Sequence, residues 1–540
     1  MRRSWRIAAI TLFTVALLVG GLLGDRLLAV TDDTRNTLQT FTELLNLAHD
    51  RYGAEVSYRD LVYSSIEGMV RTLDPHTSFL PPEAYEGMRE RQQSTYYGLG
   101  ILVGVRNGQL TVISPIEGTP GERLGIQAGD VISQIEGEPT ETMTLDEAVG
   151  KLKGPKGTKV RVTLIRRGLD KPIEMAVARA EIPQTTVRQA YMLDPKTGYI
   201  LVTEFSRSTG REVADAVEKL RKAGMKQLLI DLRNNGGGLL DPSIEMAEQF
   251  LPEGTTVVET RGRIRDSDQE FKASGRYPML DVPVVVLVNE GTASASEIVS
   301  GALQDHDRAL VVGEPSWGKG LVQSVYTLSY GAGLALTTAK YYTPSGRLIQ
   351  RDYTSYYDYY THQDAGSPEI TGKPVKPDEI FHTDLGRKVY GGGGITPDVI
   401  VKDEQINAFQ QFLLLRNAFG DFAVDYHTTH PAKSRDWKPD AKTLADFREW
   451  AVRESIATAK ELDDALADPA NKEYIERQIR AEMLNSAFGQ EARHRVLAQG
   501  DKQISTALGL FPRAAELLAQ RRAMQKEERA AEVAAPGSKG

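Results

Sequence analysis

The stretch from residue 181 to residue 402 alternates apolar, strand-like runs with amphipathic, helix-like runs, and this alternation limits the fold most strongly. One apolar run, "KQLLIDLRNNGGGLL" (226–240), ends in a glycine turn. Another, "VPVVVLVN" (282–289), leads into the small residues of "EGTASASEIVS" (290–300). Strands that are apolar on both faces and alternate with helices are typical of a mainly parallel sheet covered by helices. Residues 181–402 are therefore predicted to form an α/β core.

A chain of 540 residues is too long for one hydrophobic core. The remaining segments differ from one another in how their apolar residues are spaced. Residues 31–94 carry apolar positions at helical spacing and are predicted to be helical, except for the proline-rich "LDPHTSFLPPEAY" (73–85), which is predicted to be irregular. Residues 403–540 are predicted to form a second helical region that ends in a disordered tail. The expected fold class is thus a multidomain α+β protein built around the α/β core.

The N-terminus combines positive charge with a long apolar run. Arg2, Arg3 and Arg6 precede residues 7–24, an uncharged run of 18 residues. As a helix this run would span ~27 Å, close to the ~30 Å of a bilayer core. A transmembrane signal anchor in residues 1–30 is the preferred interpretation, with a cleaved signal peptide and a buried soluble helix as alternatives. The arginines should stay in the cytoplasm, so the bulk of the chain should face the periplasm or exterior of a bacterial cell.

Composition excludes several classes of protein. The formal net charge is −8, so nothing favours nucleic acid as a partner. The chain has no cysteine, which excludes a disulfide framework, a thiol nucleophile and thiolate metal sites.

Residues 95–180 show short alternating strands interrupted by glycine turns and one short helix. The sequence Gly98-Leu99-Gly100-Ile101 is followed by "AGDVISQIEG" (128–137) and by the helical "TLDEAVGKLKG" (144–154). This succession resembles a PDZ domain. The resemblance implies that the loop of the first four residues offers main-chain N–H groups to the terminal carboxylate of a peptide, which adds to the domain as a strand.

Three serines, Ser294, Ser296 and Ser300, lie where the apolar run 282–289 passes into a helix, and any one of them needs a base to act as a nucleophile. The nearby His306 lies between two aspartates and is interpreted as a solvated helix end. Lys319, between two glycines after the next strand, could serve as the base if burial kept it neutral. Taken alone, its segment is more typical of a lysine in a surface turn.

Several motifs occur together and in order: "DLRNNGGGLL" (231–240), "SASEIVSGALQD" (294–305) and "GEPSWGKGLVQ" (313–323). With the PDZ-like segment before them, residues 35–400 resemble the C-terminal processing peptidases, or tail-specific proteases, which are Ser/Lys serine proteases. The resemblance implies Ser294 as the nucleophile, Lys319 as the base and Gln323 as the residue that orients the lysine.

Two main-chain N–H groups are expected to stabilise the oxyanion. Ala295 follows the proposed nucleophile at a helix N-terminus, where N–H groups point outward. The resemblance implies Gly237 as the second donor. Its neighbours Gly236 and Gly238 stay open as alternatives, because some members of the family have proline at the position of Gly236.

These features together predict a serine endopeptidase that recognises the C-terminal tails of protein substrates and needs no metal ion or cofactor. It is expected to be tethered to the membrane and to form a homo-oligomer, because residues 33–92 and 403–530 offer more apolar helical stripes than a monomer easily buries. The alternatives are a non-catalytic PDZ scaffold with a protease-like core and a non-hydrolytic acyl-transfer enzyme.

Overall fold

The computed structural model describes residues 32–93, 95–106, 108–354, 359 and 379–534. Two compact units can be distinguished: Met1–Pro82 with Val325–Leu336, and Glu83–Ser324 with Thr337–Gly540. The predicted membrane segment 1–30 and the predicted disordered tail after residue 534 lie outside the described residues. Among the helices that are described, none is long and apolar enough to cross a membrane.

The described residues of the first unit form α1 (Asp32–Arg51), α2 (Tyr58–Arg71) and β1 (Ser78–Leu80), together with the adjoining ends of two later strands in residues 325–336. The prediction that residues 73–85 are irregular is wrong in part, because β1 pairs antiparallel with residues 333–335. The turn before β1 is closed by Asp74, whose Oδ1 accepts the N–H groups of His76 and Thr77, both at 2.8 Å. An aspartate side chain that caps two N–H groups stabilises a turn and leaves the following residues free to extend.

The second unit begins with a helix and a small β domain that contains the PDZ-like motifs. Its elements are α3 (Pro82–Gln93), β2 (Thr95–Gly98), β3 (Ile101–Arg106), β4 (Gln109–Pro115), α4 (Pro120–Arg123), β5 (Val131–Ile135), β6 (Glu138–Pro139), α5 (Leu145–Leu152), β7 (Lys159–Ile165), β8 (Ile173–Ala178) and β9 (Ala180–Pro183). The strand order β3-β4-β5-β7-β8 leaves β3 at an edge of the sheet. A capping box of Thr144 and Glu147 starts α5, and Ala148 and Leu152 of that helix are buried in the core of this domain.

The predicted α/β core is present. Its elements are β10 (Val187–Met192), β11 (Thr197–Val202), α6 (Thr209–Lys222), β12 (Gln227–Asp231), α7 (Leu240–Ala247), β13 (Thr256–Arg261), β14 (Gln269–Lys272), β15 (Val284–Val288), α8 (Ala295–Asp305), β16 (Leu310–Gly313), β17 (Leu321–Thr327), β18 (Gly333–Tyr342), β19 (Ile380–His382), β20 (Lys388–Tyr390) and β21 (Val399–Ile400). The central sheet has the order β10-β11-β12-β15-β16-β21. Neighbouring strands from β11 to β21 are parallel, and β10 is antiparallel to β11. Every residue of β15 is buried, as its continuous apolar sequence predicts.

Seven helices follow the sheet: α9 (Ala408–Leu415), α10 (Ala418–Thr429), α11 (Ala441–Arg453), α12 (Ala459–Ala467), α13 (Pro469–Phe488), α14 (Gln490–Gln499) and α15 (Lys502–Ala534). Helices α9 to α13 share an aromatic core with α14 that includes Phe419, Phe447 and Trp450. Helix α15 does not belong to this aromatic core and packs on the central sheet instead.

Helix α15 covers one face of the central sheet, while α6, α7 and α8 cover the other. Its residues Ile504 and Phe511 are buried against Leu229 of β12 and Val285 and Leu287 of β15. The neighbouring residues of those strands, such as Ile230 and Val286, belong to the core on the opposite face. The α/β sandwich is therefore completed by a helix that lies outside the predicted core segment 181–402.

Candidate active site

Ser294 lies between the buried strand β15 and helix α8, at the carboxyl end of the parallel sheet, where ligands bind in open α/β folds. It is the N-cap residue of α8 and has φ 55° and ψ −116°. A positive φ is uncommon for a residue with a side chain and, when it persists, often marks a functional position. The side chain and main chain together are 9% exposed. The fold thus holds this serine in a strained conformation at the carboxyl end of the sheet.

Glu297 connects the serine to the loop that carries Lys319. Its carboxylate is fully buried and accepts four hydrogen bonds. Oε2 accepts the N–H of Ser294 at 2.7 Å and the N–H of Lys319 at 2.9 Å. Oε1 accepts the N–H of Gly318 at 2.7 Å and the hydroxyl of Ser316 at 2.5 Å. Because the main-chain nitrogens of Ser294 and Lys319 share one oxygen, their separation is at most the sum of those two short distances.

The electrostatics of Glu297 combine opposing effects. Burial raises the pKa of this carboxyl, while the hydroxyl of Ser316 and the three main-chain N–H donors oppose that rise. A carboxyl surrounded by fixed N–H donors offers them its lone pairs and gains most from them when it is ionised. In the sequence Glu297 is simply an acidic residue three positions after Ser294, and its role as a link between two loops emerges from the structure.

Lys319 lies in the loop between β16 and β17 and is half-buried. Its Nζ donates a hydrogen bond to Oε1 of Gln323 at 2.9 Å. The loop is held on its other side by Gln350, whose Oε1 accepts the N–H of Gly320 at 2.8 Å. Gly318 has φ 87°, which favours glycine at this bend. The structure therefore brings the predicted base and its predicted orienting residue into direct contact.

The glycine turn after β12 lies directly against Ser294. A Cβ built on Gly237 would lie 2.8 Å from Cβ of Ser294 and 2.9 Å from the nitrogen of Ala295. Gly237 has φ 99°, so both its conformation and its surroundings favour glycine. Its N–H donates to Oδ1 of Asn235 at 2.9 Å, so in this structure that N–H is already engaged. Gly236 and Gly238, the alternative donors, are exposed.

Asn235 is a residue of this turn that the sequence reasoning missed. It is fully buried, and its Nδ2 donates to the carbonyl of Val202 at 2.9 Å. Its own carbonyl accepts the N–H of Ala293 and the hydroxyl of Ser296, both at 2.9 Å. Asn235 thus fastens the glycine turn to the start of α8. The signal in the sequence was its place directly before the three glycines.

The other two serines of the motif have structural partners. The Ser296 hydroxyl donates to Asn235, as described above, and the Ser300 hydroxyl donates to the carbonyl of Ser296 at 2.8 Å. Both residues lie within α8, as predicted.

The interpretation of His306 as a solvated helix end is wrong, because the residue is only 8% exposed. Its Nδ1 contacts Oδ2 of Asp384 at 2.8 Å, and its Nε2 contacts the carbonyl of Thr256 at 2.7 Å. The loops that bury it come from distant parts of the sequence, which local polarity cannot reveal. With both ring nitrogens engaged, His306 has a structural position rather than that of a base for Ser294.

The four residues predicted to bind a peptide tail line one groove in the β domain. The groove has a volume of about 270 Å³ and is lined by Gly98, Leu99, Gly100, Ile101, Tyr96, Leu102, Val103, Val149, Leu152, Lys153 and Gln184. It runs between the edge strand β3 and helix α5. The carbonyls of Leu99 and Gly100 accept internal hydrogen bonds from Gly121 and Ile116, at 2.8 and 2.9 Å. An edge strand beside an apolar groove is the arrangement that lets a peptide add as a further strand.

Comparisons with known proteins agree with both parts of this architecture. The family model described as peptidase family S41 matches residues 196–356, and the PDZ domain model matches residues 111–166. A carboxy-terminal-processing protease from Bartonella bacilliformis is 38% identical over 327 residues, which are 59% of this chain and 75% of that protein. The chain belongs to the carboxy-terminal processing proteases of peptidase family S41.

Relatives in other bacteria have similar names. A carboxyl-terminal-processing protease from Synechocystis is 38% identical over 376 residues, or 65% of this chain and 86% of that protein. A carboxy-terminal processing protease from Bacillus subtilis is 35% identical over 292 residues, or 54% of this chain and 62% of that protein. As a carboxy-terminal processing protease, this protein is a serine-type peptidase with a PDZ domain and an α/β protease core.

Proposed function

We propose that this carboxy-terminal processing protease uses Ser294 as its nucleophile and Lys319 as its general base. The observation that carries the proposal is the shared oxygen of Glu297, which holds the main chains of Ser294 and Lys319 close together. Further support comes from Gln323, which accepts a hydrogen bond from the lysine side chain and so fixes its direction. This constellation favours a catalytic protein over a PDZ scaffold with an inert core.

In the proposed reaction, neutral Lys319 removes the proton of the Ser294 hydroxyl while the serine oxygen forms a bond to the scissile carbonyl carbon. The oxyanion is stabilised by the N–H of Ala295 at the start of α8. The glycine turn supplies a second donor, which is Gly237 once its N–H exchanges Asn235 for the oxyanion. The carbon–nitrogen bond then breaks as the lysine returns its proton to the leaving amine. Water, activated by the same lysine, hydrolyses the acyl-enzyme.

The substrates are proposed to be proteins whose C-terminal tails enter the groove beside β3. The main-chain N–H groups from Gly98 to Ile101 would bind the terminal carboxylate, and the apolar wall with Val149 and Leu152 would favour an apolar last residue. Cleavage would occur upstream of the bound tail.

Four variants test the assignment of the nucleophile and the base. Ser294→Ala should abolish cleavage of a tailed protein but leave binding of the tail peptide unchanged. Ser296→Ala is the matched control on the same helix, and it should keep substantial activity because its hydroxyl only supports the glycine turn. Lys319→Ala should lose nearly as much as Ser294→Ala, because members of a catalytic unit are not additive. Lys319→Arg should not restore activity, because arginine keeps its proton.

The rate of cleavage of the tailed protein and the affinity for the tail peptide are measured for each variant, and together they test the assignment. If Ser296→Ala were inactive and Ser294→Ala active, the assignment of the nucleophile would be wrong.

We also propose that residues 1–30 anchor the enzyme in the cytoplasmic membrane and that its catalytic part faces the periplasm or cell exterior. The support is the sequence pattern of three arginines before the apolar run. Protease added to intact spheroplasts should digest the catalytic part. Full protection there, with digestion only after lysis, would contradict the proposed orientation.

A homo-oligomer, most simply a two-fold dimer, is proposed from the exposed apolar side chains of α1. Leu38, Leu44 and Leu47 are each more than half exposed, and a stripe of this kind is costly to leave in water. Light scattering of the protein in detergent would reveal the assembly. Substitution of the three leucines by glutamine should reduce the particle mass that light scattering measures. A wild-type protein that is monomeric at micromolar concentration would refute the proposal.

A further inference from the structure

A second cavity lies where the C-terminal half of α15 meets the α/β core, and cations dominate its lining. Its volume is about 240 Å³. The lining residues are Arg308, Arg521, Arg522, Lys526, Asp281, Gln525, Met279 and Leu518. They come from three places: α15, the turn after α8 and the loop before β15. None of them takes part in the reaction proposed above.

Arg308 is the most buried cation of this lining, ahead of Arg521. It is only 3% exposed. Its Nε donates to the carbonyl of Phe250 at 2.9 Å, and its Nη2 donates to the carbonyl of Leu280. Its Nη1 is also buried, and no acceptor for it is found among the described residues. A buried donor without an acceptor destabilises the folded protein, and more so when the group is charged.

Four cations but only one carboxylate line the cavity. That carboxylate, Asp281, is engaged by Arg522, with Nη2–Oδ2 at 2.6 Å and Nε–Oδ1 at 3.1 Å. Asp384, outside the lining, interacts electrostatically with Arg521. Burial, and after it the positive charge of Arg521, lowers the pKa of Arg308 to about 10. Arg522 acts in the same direction, and Asp281 opposes it. A water molecule could accept a hydrogen bond here, but it would not offset the positive charge.

We propose that this cavity binds a small oxyanion of phosphate chemistry between Arg308 and the cations of α15. A guanidinium presents paired N–H donors that match two oxygens of a phosphate group, and such charge-assisted bonds are the stronger ones in proteins. Bound there, the anion supplies both the missing acceptor and the missing negative charge. It also joins α15 to the loop before β15, so its occupancy stabilises the packing of this helix on the sheet.

Titration of the full-length protein in detergent with inorganic phosphate tests the proposal. Sodium chloride at equal ionic strength serves as the comparison, with the melting temperature and the calorimetric affinity as readouts. Phosphate should raise the melting temperature more than chloride does, because an anion that binds only the folded state stabilises it. Equal shifts with phosphate and chloride would overturn the proposal.

Variants locate the effect in the cavity. Arg308→Met should weaken phosphate binding at least about tenfold, since a charged hydrogen bond contributes about 1.5–3 kcal/mol and 1.4 kcal/mol is tenfold. Should that buried substitution prevent folding, the double variant Arg522→Gln with Lys526→Gln changes two exposed residues and should also weaken binding. Arg513→Gln, exposed on the same helix, is the matched control and should bind phosphate like the wild type. Unchanged affinity in the double variant would refute the site.

Glycerol 1-phosphate distinguishes the source of the anion. Tighter binding than inorganic phosphate supports an organic phosphate or a lipid headgroup as the natural occupant. Equal or weaker binding supports free phosphate.

Discussion

Replacing Glu297 with glutamine should damage catalysis far more than its small change in size suggests. The carboxylate accepts two donors on each oxygen, from Ser294 and Lys319 on one side and from Gly318 and Ser316 on the other. An amide offers one oxygen and one NH₂ group. With its nitrogen toward Ser294 and Lys319, the amide leaves two main-chain N–H groups without an acceptor. With its nitrogen toward Gly318 and Ser316, it leaves only the N–H of Gly318 without one, because the Ser316 hydroxyl can turn and accept.

The magnitude follows from the orientation that loses less. One unsatisfied buried donor costs about 1–3 kcal/mol, so the free energy of unfolding should fall by about that amount. Repulsion between the amide NH₂ and the N–H of Gly318 also moves the Lys319 loop away from the Ser294 turn. A displacement of about 1 Å between reacting groups can cost about 100-fold in rate. We therefore expect kcat of Glu297→Gln to fall by about 100-fold or more while the affinity for the tail peptide stays unchanged.

The assay compares kcat and KM on a tailed substrate with the rate at which a fluorophosphonate labels Ser294, all at a temperature where the variant is folded. Ser300→Ala is the matched control, because it removes one buried hydrogen bond from the same helix without touching either loop. That control should lose stability but keep nearly full kcat and normal labelling. A folded Glu297→Gln enzyme with more than about a third of wild-type kcat would refute the reasoning.

Three further predictions concern the glycine turn, the half-buried His494 of α14 and the peptide groove. Gly237→Ala should lower both stability and kcat. The new Cβ would lie 2.8–2.9 Å from backbone and side-chain atoms, and alanine would have to adopt the φ of 99° that Gly237 has. A folded variant with normal kcat would contradict this prediction. Burial lowers the pKa of His494, so the folded state holds it neutral and the unfolded state takes up the proton first as the pH falls. Its stabilising contribution should be complete above about pH 6.5 and should decline as the pH falls below that value. Thermal melts at pH 7.5 and 5.5 should show this decline in the wild type and a smaller one in His494→Gln; equal declines would count against it. Glu90→Gln should release Lys153, its partner at 2.6 Å in the groove lining, and tighten binding of a tail peptide by up to about fivefold in fluorescence anisotropy. In the control Glu138→Gln, whose partner Lys151 is absent from that lining, affinity should not change; equal effects in both variants would exclude a local cause.

The sequence predicted the elements that carry the site better than the contacts between them. A buried strand that runs into small residues and a helix predicts where Ser294 lies, because both patterns are local. The hydrogen bond that the N–H of Lys319 donates to Glu297 depends on the pairing of β15 with β16 in the sheet. No local spacing encodes that neighbourhood. The same holds for Asn235. Its side chain donates to Val202, which lies far before it in the sequence, and its carbonyl accepts from Ala293, which lies far after it.

The fold shows the same limit in α15. Apolar residues at helical spacing indicate that a helix is buried on one face, but not which surface buries it. Ile504 and Phe511 could equally have packed on their neighbours α13 and α14, and in the structure they pack on the sheet instead. His306 is the converse case, in which polar neighbours suggested exposure and a distant loop with Asp384 provides burial.

The position of α15 on the central sheet sets an order of events during biosynthesis. A ribosome delivers the strands that lead to Ser294 and Lys319 well before it delivers residues 502–534. Until that helix arrives, one face of β11, β12 and β15 has no cover, and its apolar side chains remain in water. The loops at the carboxyl ends of these strands then have no rigid base on which to align. If Ser294 and Lys319 have the proposed roles, a growing chain should therefore carry both before it has a working protease, and proteolysis should begin only after translation has passed α15.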